Sequence, residues 1–313
     1  MINRFGYACI NINLKKKGVK INRKMIAKTF KEKGIEYAGE LALLNIQGVA
    51  ETLVWNVENN ILAYRMSSAM FPWMSEYEFK DLPQYNQISA LLSSVGEYAK
   101  QNNVRLSFHP GAFTILCSPR ESVVNKAVKE LNQHSEIMDM MGLEASPYNK
   151  INIHIGGAYD DKPSTLDNFC ENFQRLDPNA KSRLTVENDD RTSLYTVQDL
   201  MYVHEKTGIP IVFDFHHYDC HPGELSKNES LNLAMSTWPK GIIPVVHMSS
   251  SKRNYEDSTA KVIAHADYIY DEIPTTGIPF DVVVEAKMKE DAVLRYIKEF
   301  KVKECLNEVE VNS

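Results

Sequence analysis

The chain has 313 residues, is 43% hydrophobic and 24% charged, and carries a formal net charge of −6. That balance supports a packed core and excludes a disordered chain, and no run approaches the ~18 consecutive apolar residues of a membrane span. The negative sum is adverse for a nucleic-acid partner, whose phosphates call for Lys and Arg, yet charge can be local. Lys15, Lys16, Lys17, Lys20, Arg23 and Lys24 crowd into ten residues, although a solvated loop is the plainest reading of such a run.

Taken in chain order, the opening MINRFGYACININ lacks the charged-then-apolar plan of a secretion signal. It predicts a first strand in an intracellular, not secreted, protein. Short β-branched or aromatic runs then recur at FGYACI, ILAYRMSS, VRLSFH, KINIHI, SRLTVE, IPIVFDF, IIPVVHM and FDVVVEA. Amphipathic helical stretches are expected between them at 25–45, 86–102, 120–141, 166–176, 196–207 and 287–300, and SPRES and KPST are Pro/Ser-type helix starts. Strands that alternate with helices pair in parallel through right-handed crossovers. Eight such units close a (β/α)8 TIM barrel, with a doubly wound open sheet as the alternative. No repeat or Pro/Gly linker divides the chain, so one domain is expected over 1–301, with a loose acidic tail at 302–313. The five cysteines, Cys9, Cys117, Cys170, Cys220 and Cys305, are odd in number, scattered and without a CxxC pair. They argue against a disulfide framework and against a thiolate zinc site.

The C-terminal ends of the predicted strands carry the chemistry. From the third strand onward they present His109, His154, Glu187, Asp214, His247 and Glu285, every one a metal-ligand type, and in a barrel these ends converge on one face. A lone histidine on an apolar strand is more often a satisfied core residue, but six such positions in succession are hard to read that way. His217, three residues beyond Asp214, and His265, after the seventh strand, add to the set; His216 is open between a supporting and a surface role. His134 and His204 fall in helices and His221 in a loop, and these three are read as non-ligands. So many His, Asp and Glu side chains without cysteine suit Zn2+, Mn2+ or Fe2+, with Mn2+ or Zn2+ foremost, as two to three ions bridged by a carboxylate. Multi-metal sites of this composition typically hydrolyse phosphate esters.

The stretches RFGYACIN, RMSSAMFP, SFHPGAFTILCSPRESV, INIHIGGAY, LTVENDD, VFDFHH, VHMSS, HADY and VEAK resemble, in order and spacing, the motifs of UV damage endonucleases. That family is related in fold to the endonuclease IV type of abasic-site nuclease and to xylose isomerase. The resemblance implies a metal-dependent enzyme that nicks damaged double-stranded DNA 5′ to a UV photoproduct or abasic site and leaves a 3′-hydroxyl. It implies one ion on His109, His154 and Glu187, a second on Glu187, Asp214, His247 and Glu285, and a third using His217 and His265. Glu187, His247 and Glu285 are then the catalytic centre. It also places Tyr7, Ala112 and Phe113 at the lesion, Phe113 as an aromatic probe of the stack, while a core aromatic is the alternative reading of Tyr7. A monomer is expected.

Three positions depart from the family pattern. Ala112 stands where a glutamine is usual, Val245 where a lysine open to carboxylation is common, and Glu76 where a histidine tends to be. These changes keep open a weakened protein that binds distorted DNA without cutting it, and the shared barrel keeps open an abasic-site endonuclease or a sugar isomerase.

Overall fold

The computed structural model describes residues 1–159 and 161–300; the tail expected at 302–313 lies outside the described residues. In chain order the elements are β1 (Ile2–Ala8), α1 (Ile12–Lys16), α2 (Ala27–Glu58), β2 (Ala63–Arg65), α3 (Tyr85–Gln101), β3 (Arg105–Ser107), α4 (Glu121–Met140), β4 (Ile151–Ile153), α5 (Lys162–Phe173) and α6 (Pro178–Arg183). They continue as β5 (Leu184–Glu187), α7 (Val197–Thr207), β6 (Ile211–Asp214), α8 (Phe215–Cys220), α9 (Lys227–Ser236), β7 (Val245–Met248), α10 (Lys252–Tyr255), β8 (Phe280–Val284) and α11 (Lys289–Glu299).

All eight expected strands form. They pair in parallel in the order β3-β2-β1-β8-β7-β6-β5-β4, and a parallel bridge from Phe108 to Ile151 joins the two ends. There the Phe108 amide donates to the Lys150 carbonyl at 2.9 Å and the Asn152 amide to the Phe108 carbonyl at 3.0 Å. The closed (β/α)8 barrel is thus built, and the open-sheet alternative falls away. Side chains alternate along each strand: one set meets the surrounding helices in the main core, the other fills the barrel.

Inside the barrel the N-terminal end is plugged by charge. Arg105, fully enclosed, donates to Asp281 Oδ2 at 2.9 Å and to the carbonyls of Tyr148, Ile243 and Pro147. Val212, Val245 and Val283 pack with Trp238 in a separate interior cluster. Gly6 on β1 is required here, since a Cβ would lie 2.2 Å from the Ala63 carbonyl oxygen of the neighbouring strand.

One of the expected helices is longer than its sequence predicts. The helix expected to end at residue 45 runs on to Glu58, with a kink at Gly34 where φ is 64°. Its second half buries Ile46, Val49 and Leu53 against the barrel. Gly48 lets the loop after β1 close on it, because a Cβ there would stand 2.2 Å from the Lys20 carbonyl. Arg23 fixes the same loop by donating to the carbonyls of Lys20 and Leu44.

Candidate metal centre

Parallel pairing puts all eight strand C-termini on one face, and the residues at or just past those ends converge. Glu187 closes β5 at the centre, fully buried. His109, two residues past β3, brings Nε2 to 3.2 Å from Glu187 Oε2. His247 on β7 sets Nδ1 3.0 Å from the same oxygen and 3.2 Å from Glu285 Oε1, one residue past β8. His217 Nδ1 lies 3.3 Å from Glu187 Oε1. Asp214, the last residue of β6, is also the N-cap of α8: its Oδ1 accepts the His217 amide at 2.8 Å. This cap is what turns His217 back over the barrel mouth.

The donor atoms fall into two groups, His109–His154–Glu187 and Glu187–Asp214–His247–Glu285, each within 4.8 Å of one another. Glu187 belongs to both. Two buried carboxylate oxygens there, Glu187 Oε1 and Asp214 Oδ2, have no hydrogen-bond partner. Buried polar atoms are rarely left so, and divalent cations would satisfy these. The residues therefore fit metal. His217 and His265 approach with ring centroids 6.3 Å apart, but among the described residues no third donor completes a group with them on the same distance scale.

The electrostatics point the same way. Burial opposes ionisation of Glu187, yet His247 and His154 together with bonds from His109 and His247 hold it well below the usual carboxylate range. Glu285 is held down too, its burial outweighed by Arg65 and His247. Burial pushes Asp214 up to about 7, reinforced by Glu187 and Glu285. His154, despite burial, is drawn up to about 10 by Glu187 and Asp189. Both shifts favour the protonated form, at Asp214 chiefly through burial and at His154 through the neighbouring carboxylates.

A cavity of ≈ 520 Å³ opens over this cluster, walled on one side by the loop carrying Pro110 and Ala112 and on the other by Asp190 and Arg191. The UV-endonuclease UvdE family model matches residues 3–312. The chain belongs to that family.

Among relatives, the chain is 35% identical over 311 residues to the UV-damage endonuclease of Schizosaccharomyces pombe, which covers 96% of this chain and 51% of the other. It thus spans about half the length of that relative. The UV DNA damage endonuclease of Bacillus pumilus is 34% identical over 284 residues, 87% of this chain and 85% of the other. The crystal structure of SacUVDE matches at a TM-score of 0.83 and 30% identity, covering 96% of this chain and 99% of that one. Endonuclease IV of Thermus thermophilus, at a TM-score of 0.55 and 11% identity over 95% of this chain and 97% of the other, shares the fold.

Within this family member the expected lesion residues separate. Ala112 and Phe113 are exposed on the loop after β3, Phe113 at 91%. Tyr7 is not with them: it is 0% exposed, its ring edge-on to Tyr64 and its hydroxyl held by Asn56 and Asn11. The expectation that Tyr7 meets the lesion is corrected: it faces α2 in the core, and no side of the ring is open to a base. Glu76 is exposed on a short 3-10 turn outside both donor groups, bonded to Ser75. Val245 is buried among apolar neighbours. His134 and His204 sit in α4 and α7 and bond main-chain carbonyls.

Sequence reasoning passed over the supports. Asn152 donates to Glu187, and Arg65, at the end of β2, pairs with Glu285. Asn188 brackets Asp214 through its amide and carbonyl at 2.9 and 3.1 Å. Lys150 reaches within 3.2 Å of His247 Nε2, and its burial, helped by Arg65 and Arg105, pushes it down to about 7. The period-two series Lys150, Asn152, His154 was the available signal.

Proposed function

We propose that this family member is a divalent-metal-dependent endonuclease that nicks duplex DNA 5′ to UV photoproducts, and to abasic sites, leaving a 3′-hydroxyl. The observation that carries the reading is Glu187, one buried carboxylate shared by two donor groups. Two to three divalent ions, Mn2+ or Zn2+ for this nitrogen and oxygen donor set, would supply Lewis acidity to a phosphate oxygen and make water a nucleophile near neutral pH. His217 and His265 are the donors proposed for a third ion.

The chain's own residues hold the reactants. Arg65, anchored on Glu285, and the exposed Arg191 at the cavity wall offer positive charge to a phosphate, which a guanidinium binds well through paired donors. Asn152 donates to the Glu187 carboxylate and holds it in place. Phe113 supplies an aromatic face where a lesion has weakened the stack, so the cost of opening the duplex is lower there. The exposed lysines between residues 15 and 24 follow β1 on the same face and suit the flanking phosphates.

The test is nicking of UV-irradiated supercoiled plasmid by chelator-treated protein with and without added Mn2+. Nicking of irradiated DNA alone, dependent on Mn2+ and mapping 5′ to the photoproduct, is expected. Glu187→Gln should keep the fold by circular dichroism and lose at least ~10³-fold in rate, the scale of removing a group that acts in the transition state. Full activity in excess chelator, or in Glu187→Gln, would overturn the reading. Ala112 favours a second one, because its exposed methyl cannot bond a base edge. Tight binding of irradiated plasmid without cutting would support a damage-binding protein instead.

A further inference from the structure

Beneath the metal centre the barrel interior is narrow, with Val212, Val245 and Val283 packed together, the Arg105–Asp281 pair at its N-terminal end and no room for a side chain at Gly6. A single lysine rises through it. Lys150 is 0% exposed and stands just before β4, four residues before His154 and on the same inward face. Its Nζ ends 3.2 Å from Nε2 of His247. An amino group buried this deeply is costly, and an apolar side chain of similar volume would often leave the fold as stable or more so. Packing alone therefore does not account for it.

An imidazole ring offers two different nitrogens, and the partner on one decides which way the other faces. Nδ1 of His247 is the nitrogen turned to Glu187 and Glu285, at 3.0 and 3.2 Å. Flipping the ring would put a carbon in its place and another carbon against Lys150. We infer that Lys150 is a positioning residue for the metal centre: from inside the barrel its amine accepts the Nε2–H of His247, which leaves the Nδ1 lone pair turned to the Glu187–Asp214–His247–Glu285 group. The role belongs to β4, not to β7 itself, where Val245 lies one turn of the pleat below His247 and carries no polar atom.

This inference rests on the reading that the cluster binds divalent metal, and the two are separated by comparing variants with the wild type. Mn2+ binding is followed by electron paramagnetic resonance of the free ion, on wild type and Lys150→Met. The wild type should bind at least two Mn2+, and Lys150→Met should weaken one of them tenfold or more while leaving the other. Melting of the chelated Lys150→Met protein should match or exceed that of the wild type. In nitrogen-15 spectra with Zn2+, His247 should bind through Nδ1 in the wild type and show a mixed or flipped ring in the variant. Lys150→Gln, too short to reach the ring, should behave alike and serves if Lys150→Met does not fold. In a His247→Asn background the Lys150 change should cost no further Mn2+ affinity. Unchanged affinity and ring state in either Lys150 variant, or the same loss with and without His247, would overturn the positioning role. A wild type that binds no Mn2+ would instead overturn the metal reading beneath it.

Discussion

A phenyl ring left 91% exposed, as Phe113 is, forgoes roughly 1.5–3 kcal/mol of burial in the free protein. It lies on the loop that walls the cavity over Glu187, beside Ala112 and four residues past His109. Stacking on an unstacked base recovers that area, and a base–aromatic contact is worth ~1–3 kcal/mol. Phe113→Ala should therefore weaken binding to irradiated duplex about tenfold, lower affinity for intact duplex little, and leave metal content unchanged. Fluorescence anisotropy on both duplexes reads this, and an equal loss on each would count against lesion probing. Single residues were unequally legible in the sequence. His109, His154, Glu187, Asp214, His247 and Glu285 were visible because ligand types recur at strand ends, and the structure brings all six into two donor groups. Tyr7 was not, because an aromatic at the start of a barrel looks the same whether it faces the mouth or the helices. Its 0% exposure decides for the helices.

At the scale of elements, the eight strands were legible because each is a β-branched or aromatic run bounded by turn residues. The second half of α2 was not. Gly48, Val49, Thr52 and Val54 are poor helix formers on propensity, and burial of Ile46, Val49 and Leu53 against the barrel overrides it. Helix α8 was missed for another reason: six residues show no periodicity, and its start is set by the Asp214 cap. Helix α4 carries a pH consequence. His134 is buried on its inner face, edge-on to Phe108 with ring centroids 4.8 Å apart, and burial pushes it down to about 4. Its ordinary value is near 6.5. The neutral ring favours the folded state, so its contribution is complete above about pH 6.5 and is lost as pH falls from there through about 4. Between pH 7.5 and 4.5 that loss is on the order of 2–3 kcal/mol. Urea melts of the wild type and His134→Gln at both pH values should show the variant losing less stability by about that amount, with the shared titrating groups cancelling. Equal losses would place the His134 charge outside the folding balance.

For the molecule as a whole, the question is how a chain of net charge −6 would meet a polyanion. The barrel answers by topology. β3, β2 and β1 are consecutive neighbours, so the Phe113 loop and the lysine-rich loop after β1 emerge only two strand spacings apart, ~10 Å. Lys15, Lys16, Lys17, Lys20 and Lys24 are exposed, and Gly48 and Arg23 seat their loop firmly on α2. Phosphates within a few nucleotides of a base touching Phe113 would fall under these lysines. A local patch can steer a polyanion while the far side of the molecule stays acidic. Each phosphate neutralised adds roughly 0.9 to the slope of log affinity against log salt. Replacing Lys15, Lys16, Lys17 and Lys20 together by Ala should lower that slope by about 2 to 4. It should weaken irradiated and intact duplex by the same factor, because phosphate contacts carry no lesion information. Titrations from low to physiological salt with Phe113→Ala alongside separate the two loops: the lysine variant changes the slope and keeps discrimination, while Phe113→Ala keeps the slope and loses discrimination. A lysine variant with an unaltered slope would move the duplex off the β1 side of the barrel face.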